Sequence, residues 1–171
     1  MPSPVTPSPV TPSPAVELLR REHDLLAKEM QQRVEEVGEL SGASAERAEA
    51  IQRAFVRWLE RVIEHDDWEE RVLFPAVDKY TVSGGHAFTA TLRHEHQITA
   101  RWLRELRRMI RDGAAPTAVA RRADQIMGLL MAHLDTETAV LVHVLETVTS
   151  DHVFQRDILA RMSAPPEPED D

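Results

Sequence analysis

Two histidine–glutamate pairs at a spacing of four residues carry the clearest chemical signal in this chain. His65 precedes Glu69, and His133 precedes Glu137. Residues four apart lie on the same face of a helix, so each pair can direct an imidazole and a carboxylate into one space between helices. Both groups are ligands for transition metals. The pairs therefore predict a metal centre that carboxylates could bridge.

Two further histidines, His23 and His96, precede these pairs at similar distances in each half of the chain. The sequence EHDLL around the first parallels EHQIT around the second, and HDDWEERVLFPAV parallels HLDTETAVLVHVL. This internal similarity indicates a duplicated helical hairpin. Such a duplication would give a metal centre with approximate twofold symmetry.

The elements that must position these residues are four long helices. Three breaks that contain glycine or proline separate four segments. The breaks are Gly38 to Gly42, Pro75 to Gly85, and Asp112 to Pro116. Ser44 and Thr117 are predicted N-caps of the second and fourth helices, Gly113 is a predicted stop for the third, and Pro75 is predicted to limit the second. Short loops near Gly42 and Gly113 favour antiparallel neighbours.

Each segment carries apolar residues at spacings of three and four, the pattern of a helix that buries one stripe in a bundle. The candidate ligands fall on these stripes. The four predicted stripes are Val16, Leu19, His23, Leu26, Met30, Val34 and Val37; Ile51, Phe55, Trp58, Val62, His65, Glu69 and Val72; Leu92, His96, Thr99, Leu103, Leu106 and Ile110; and Ile126, Leu130, His133, Glu137, Val140 or Leu141, Val144 and Val148.

The number of polar residues on the predicted core stripes favours metal ligands over isolated core histidines. A lone histidine on a core stripe is usually satisfied by a hydrogen bond, but four histidines and two glutamates together would need six separate solutions, because unpaired buried polar groups are costly. One dinuclear metal centre would satisfy them all. Counted from the loops at about 1.5 Å per residue, these side chains also fall within roughly one or two turns of a common level.

Composition narrows the class of protein. The chain has 171 residues, which favours one domain. Its 20 basic and 29 acidic residues give a net charge of -9, which disfavours nucleic acid and anionic membranes as partners. It has no cysteine, so disulfides, thiolate nucleophiles and iron–sulfur clusters are excluded. With no signal peptide or long apolar run, the expected location is the cytoplasm.

Proline-rich sequences flank the predicted helices. Residues 1–14 repeat proline with serine, threonine and valine, and residues 163–171 are acidic and contain proline. Such segments cannot form a packed core, so we expect disordered tails there and a folded domain over residues 15–162. A short fifth helix is expected near residues 151–162.

The motifs together resemble the hemerythrin and HHE cation-binding family, from about residue 15 to residue 150. The stretch HDDWEERVLFP from His65 is similar to the family's second-helix motif, and EHDLL, EHQI and HLDTE complete the order of ligands. The resemblance implies an all-α, up-down-up-down antiparallel four-helix bundle around a non-haem di-iron centre. Carried over by position, the terminal ligands would be His23, His65, His96 and His133, and Glu69 and Glu137 would bridge the irons.

The chain departs from the oxygen-carrying members at two positions. Carriers have a second histidine one turn after the first on the third helix, where this chain has Ala100. They also have an aspartate ligand on the fourth helix five residues after its histidine, where this chain has Thr138. Fewer protein ligands leave more open coordination positions, which favour redox turnover or sensing over reversible transport.

The functional expectation is a protein with an oxo- or hydroxo-bridged di-iron centre that reacts with hydrogen peroxide or oxygen, in a catalase-like or peroxidase-like protective role. Manganese and zinc are chemically acceptable but less favoured than iron. The alternatives are a sensor or storage module that binds oxygen, nitric oxide or iron without turnover, and a metal-free structural or interaction bundle. The expected ligands are small molecules; a protein partner of the tails is not identified.

Two acidic residues lie next to the pairs without continuing their four-residue spacing. Asp66 follows His65 and lies about 100° around the helix from it, so a solvated or supporting position is expected, with ligation as the alternative. Glu70 follows Glu69 and is expected at the surface or in support of a ligand. His86, His94, His143 and His152 are left outside the site.

Overall fold

The computed structural model describes residues 14–81 and 89–148, and every element in these two ranges is helical. The elements are α1 (Pro14–Glu39), α2 (Ala45–Trp68), a π-helical turn (Glu69–Leu73), α3 (Phe74–Thr81), α4 (Ala90–Arg111) and α5 (Pro116–Val148). The predicted all-α class is therefore confirmed for the described part of the chain.

The second helical segment continues beyond the proline that was expected to limit it. Backbone angles remain right-handed helical at Trp68, Glu69 and Phe74, so α2, the π turn and α3 form one rod. The N–H of Phe74 donates to the carbonyl of Glu69, five residues back. Pro75 then lies in the first turn of α3, where its missing N–H costs little. The prediction of an end at Pro75 is wrong for this reason.

The connections between helices follow ordinary capping chemistry, with one difference from expectation. The Ser44 hydroxyl accepts a hydrogen bond from the backbone N–H of Arg47, as predicted for an N-cap. Gly113 has φ 72° and donates to the carbonyl of Ile110, which ends α4 as predicted. Thr117 is not the N-cap of α5, because the helix begins at Pro116, whose fixed φ suits a first helical position.

The long helices pack around a shared interior. Helix α1 contacts α2 and α5, α4 contacts the same two helices, and α3 contacts α5. The core has two parts. The first cluster runs from Leu26 and Met30 on α1 to Leu130 on α5, and the second contains Leu19, Phe74 and their neighbours. On every long rod the predicted ligands lie, along the chain, between residues of these two clusters.

Among the stripe residues whose burial is described, all are buried or partly buried except one. Val34 is 38% exposed although Met30 and Val37 on the same helix are buried. The stripe on α1 is wider than the surface that α1 buries, so a residue at its edge faces solvent. Of the two alternatives on the last helix, Leu141 is fully buried and Val140 only partly.

One described helical stretch, Pro116–Glu146, meets the length and composition criteria for crossing a membrane. About 44% of its apolar window is buried against the rest of the protein. It also carries His133 and Glu137 in the interior. The core helix of a bundle meets the same criteria, so this is weak evidence for a membrane span.

The expected proline-rich tail, the acidic tail and the short fifth helix fall in residues 1–13 and 149–171, apart from Pro14, which begins α1. Those residues lie outside the described ranges, as do residues 82–88. The fold is therefore described here for the helical domain alone.

Candidate metal centre

A polar layer crosses the interior between the two apolar clusters. Most of the predicted ligands are buried to 5% exposure or less, and the side chain of His65 is 11% exposed. Helix α1 supplies one of them, α2 and the start of the π turn two, α4 one and α5 two. The buried polar residues are His23, Asp66, Glu69, Thr89, His96, Thr99, His133 and Glu137.

The helical spacing brings each histidine–glutamate pair into contact. Nε2 of His65 lies 3.2 Å from Oε1 of Glu69, and Nε2 of His133 lies 3.3 Å from Oε2 of Glu137. Because Glu69 is the first residue of the π turn, the wider turn begins only after this pair. The ordinary α-helical geometry that the sequence motif requires is thus kept.

Four ligand-type residues form one group, which we term position A. It comprises His23, His65, Glu69 and Glu137, which each offer an atom within 4.8 Å of the others. Nε2 of His23 lies 3.5 Å from Oε1 of Glu69 and 3.5 Å from Oε2 of Glu137. The rings of His23 and His65 meet edge to face at 5.3 Å between centroids.

A second group, position B, comprises Asp66, Glu69, His96 and His133, again within 4.8 Å of one another. Nε2 of His96 lies 3.1 Å from Nε2 of His133, 3.6 Å from Oε2 of Glu69 and 3.8 Å from Oδ1 of Asp66. Glu69 therefore directs Oε1 toward position A and Oε2 toward position B. Oε2 of Glu137 also approaches both groups, through His23 and His133.

The unsatisfied atoms of this layer fit metal ions. Ligands about 2.1 Å from one ion lie about 3 Å apart, which is close to the nitrogen–nitrogen and nitrogen–oxygen separations within each group. Seven buried atoms here have no hydrogen-bond partner, a cost that proteins rarely accept in one place. These atoms are Nε2 of His23, Nε2 of His65, Oδ2 of Asp66, both carboxylate oxygens of Glu69 and both of Glu137.

The outer nitrogens of three histidines have partners of their own. Nδ1 of His23 lies 2.7 Å from the Thr138 hydroxyl. Nδ1 of His96 lies 3.1 Å from Oε1 of Glu70, and Nδ1 of His133 lies 2.8 Å from Oε2 of Glu95. A partner at Nδ1 fixes the ring orientation and leaves Nε2 free to bind a metal.

Comparison with known proteins agrees with this arrangement. The family model described as "Hemerythrin HHE cation binding domain" matches residues 15–145. The chain belongs to the hemerythrin HHE cation-binding family. Among curated proteins and solved structures, no match is found.

The hemerythrin motif residues all lie in the buried layer, but the sequence did not predict the full group. Asp66, expected to be solvated or supporting, is 4% exposed and belongs to position B. Its spacing of three residues from Glu69 was the available signal, because residues three apart share a helical face. Its angle of about 100° from His65 indicated instead a position beside the stripe.

The positions at which this hemerythrin-family chain departs from the carriers are also defined. Ala100 on α4 is partly buried and offers no ligand atom. Thr138 lies behind His23 and contacts its outer nitrogen. Glu70 contacts His96 from outside the centre, the supporting position expected for it. His94, left out of the site, is exposed.

Burial and mutual repulsion govern the protonation of the carboxyls. Burial raises the pKa of Asp66 to about 8; the positive charge of His133 opposes this shift and the negative charge of Glu69 reinforces it. Burial likewise raises the pKa of Glu137. Burial would also raise the pKa of Glu69, but the adjacent imidazoles of His23 and His65, each within 3.5 Å of its Oε1, outweigh burial and hold the pKa below its usual range. Glu69 is thus the carboxylate that stays ionised.

The two histidines of position B differ in their affinity for protons. Burial opposes protonation of both. At His133, the contacts with Glu137 and Glu95 outweigh burial and raise the pKa to about 9. At His96, burial and then the charge of His133 lower the pKa to about 4. Without a metal the layer therefore holds protons on groups that a cation would displace.

Proposed function

We propose that this chain is an up-down-up-down antiparallel four-helix bundle that holds two iron ions. The proposed ligands are His23, His65, His96, His133, Glu69 and Glu137, with Asp66 as an additional ligand at position B. The observation that carries this proposal is that the two oxygens of Glu69 face different histidine pairs. Short connections at residues 40–44 and 112–115 and the contacts of α1 and α4 with α2 and α5 support the topology.

The protein would hold the metals with neutral imidazoles. An Nδ1–H that donates to Glu70 or Glu95 leaves the Nε2 lone pair directed into the centre. Ionised Glu69 contributes one negative charge to both positions, and loss of the protons on Glu137 and Asp66 would contribute two more. Iron suits this mixture of imidazole and carboxylate better than calcium or magnesium does.

The proposed reaction is with hydrogen peroxide or oxygen. When bound, iron would supply the redox chemistry. An apolar cluster on either side of the centre would exclude water, and a small molecule would enter beside His65, the most exposed of the proposed ligands. The lack of a ligand side chain at Ala100 and Thr138 leaves coordination positions open, which favours turnover over reversible carriage.

The test begins with metal analysis of the purified protein and its absorption spectrum before and after reduction and exposure to air. We expect about two iron ions per chain and a spectrum that changes with oxidation state. Multiple turnovers of hydrogen peroxide would support the enzyme. A stoichiometric, reversible colour change without turnover would instead indicate a sensor or storage module.

Variants test the ligand assignment independently of activity. The double variant His65→Ala with Glu69→Ala should lose bound iron, whereas His94→Ala, at an exposed histidine of α4, should retain it. If the wild-type protein carries no metal and the double variant unfolds at the same temperature as wild type, the metal-centre proposal is wrong and a metal-free bundle is the remaining interpretation.

A further inference from the structure

We propose that the two metal positions are unequal: position B binds its ion first and more tightly, because Glu70 and Glu95 add negative charge behind both of its histidines. This inference rests on the proposed two-metal function and concerns the order of loading. It assigns Glu70 and Glu95 as positioning residues, since each acts on the metal through a histidine.

Position B is surrounded by carboxylates. Glu70 lies 3.1 Å from the outer nitrogen of His96, and Glu95 lies 2.8 Å from that of His133. A carboxylate that accepts a hydrogen bond from Nδ1–H makes the opposite nitrogen a stronger ligand. Asp66, buried to 4% exposure, adds an oxygen that belongs to this position alone. All three carboxyl groups lie close to one cation position, and the partial burial of Glu70 and Glu95 reduces the screening of their charge by solvent.

Position A has neutral groups in the corresponding places. The outer nitrogen of His23 contacts the hydroxyl of Thr138 at 2.7 Å, and the ring of His65 stacks on Trp68 at 6.1 Å between centroids. Among the described residues, no ion pair joins either histidine to a carboxylate outside the centre. The carboxylates of position A, Glu69 and Glu137, are both also close to the histidines of position B.

Solvent exposure also favours tighter binding at position B than at position A. The side chain of His65 is 11% exposed, whereas those of His23, His96 and His133 are 5% exposed or less. A ligand nearer to solvent can leave its metal and be replaced by water more easily. An ion at position A would therefore exchange faster than one at position B.

The supporting contacts also connect three helical segments. Glu70 of the π turn contacts His96 of α4, and Glu95 of α4 contacts His133 of α5. Each of these carboxylates follows or precedes a proposed ligand in sequence, Glu69 or His96. An ion at position B would thus bind to helices that are already held together by side-chain contacts.

The experiment is a titration of metal-free protein with Co²⁺, a redox-stable probe whose absorption reports its coordination, followed also by calorimetry. We expect two steps, the first at least about tenfold tighter than the second. Glu70→Gln and Glu95→Gln should each weaken binding at position B by about 10- to 100-fold. The affinity of position A should stay nearly unchanged, so the two steps should merge or exchange order. Both side chains are partly exposed, and glutamine can still accept the hydrogen bond, so the change removes charge and little else.

Thr138→Val is the matched control at position A, and it should weaken the second step only. Thermal unfolding of each metal-free variant checks that the fold is kept. Two equal steps in the wild-type protein, or equal weakening of both steps by Glu70→Gln and Glu95→Gln, would overturn the unequal positions and leave the two-metal function standing. A protein that binds fewer than two Co²⁺ ions would overturn the proposed function itself.

Discussion

At the scale of single residues, Glu69 and Glu137 differ although the sequence presents them as equivalent. Two histidines lie within 3.5 Å of Glu69 and hold its pKa low, while burial raises the pKa of Glu137. Because a raised pKa favours the neutral form, the Glu137 carboxyl resembles an amide in charge and shape. Substitution at Glu137 can therefore separate its effect on the fold from its effect on the metals.

We predict that Glu137→Gln leaves the stability of the metal-free protein unchanged or slightly raised, because it removes a carboxyl that burial disfavours as an anion. The same change should remove more than half of the stabilisation that iron provides. Thermal unfolding with and without metal measures both effects. Glu35→Gln, at an exposed residue of α1, is the control and should alter neither. A large loss of stability in the metal-free variant would contradict the prediction.

The raised pKa values of Asp66 and His133 predict how the metal-free protein responds to pH. Folding raises the pKa of Asp66 from 3.8 to about 8 and the pKa of His133 from 6.5 to about 9. The folded state therefore binds more protons than the unfolded state does. Their stabilising contribution is complete at low pH and is lost as pH rises through these values. Urea unfolding should show falling stability between about pH 7 and pH 9.

Asp66→Asn provides the control for that titration, because asparagine resembles the protonated carboxyl and cannot ionise. The decline near pH 8 should become shallower in this variant. Metal affinity of the wild type should change in the opposite direction, rising over the same interval as fewer protons must be displaced. A metal-free stability that rises with pH would show that these groups are not protonated in the folded state.

At the scale of elements, the sequence predicted the helices because each buries one face, and that requirement leaves a regular pattern of apolar residues. The proposed ligands stand out in the sequence because they interrupt that pattern at His23, His96 and the two pairs. The path beyond Pro75 was not predictable in this way, since a π turn has no distinctive composition. Ligation by Asp66 was only the alternative prediction, because a single helix does not reveal which side of its stripe faces the partner helices.

Two glycines give opposite predictions for the same substitution. Gly113 has φ 72°, which an alanine adopts at a cost of about 1 kcal/mol, so Gly113→Ala should lower the free energy of unfolding by about that amount. Gly128 lies within α5, is exposed, and has open space where a Cβ would stand. Gly128→Ala should raise the free energy of unfolding by about 0.5–1 kcal/mol. Chemical denaturation measures both, and effects of the same sign would contradict this interpretation.

At the scale of the whole molecule, the polar layer separates the core into two apolar clusters. One lies toward the loops at residues 40–44 and 112–115, and the other includes α3 and the start of α1. Every helical rod passes through the layer between them. Removal of metal leaves buried carboxyls and imidazoles to repel or to share protons there, so the metal-free protein should unfold at least about 10 °C below the iron-loaded protein.

The separation of the core into two clusters affects how cooperatively the protein unfolds. Both clusters have members on all four rods, but the smaller one is built from α3, the end of the π turn, the first turns of α1 and α4 and the later turns of α5. With metals bound, the ligands from four rods join the two halves, and native-state hydrogen exchange should show one unit that opens as a whole. Without metals, amides of α3 and the first turns of α1 should exchange well before those near Phe55 and Leu106. The metal centre would then decide whether the bundle behaves as one folding unit or two.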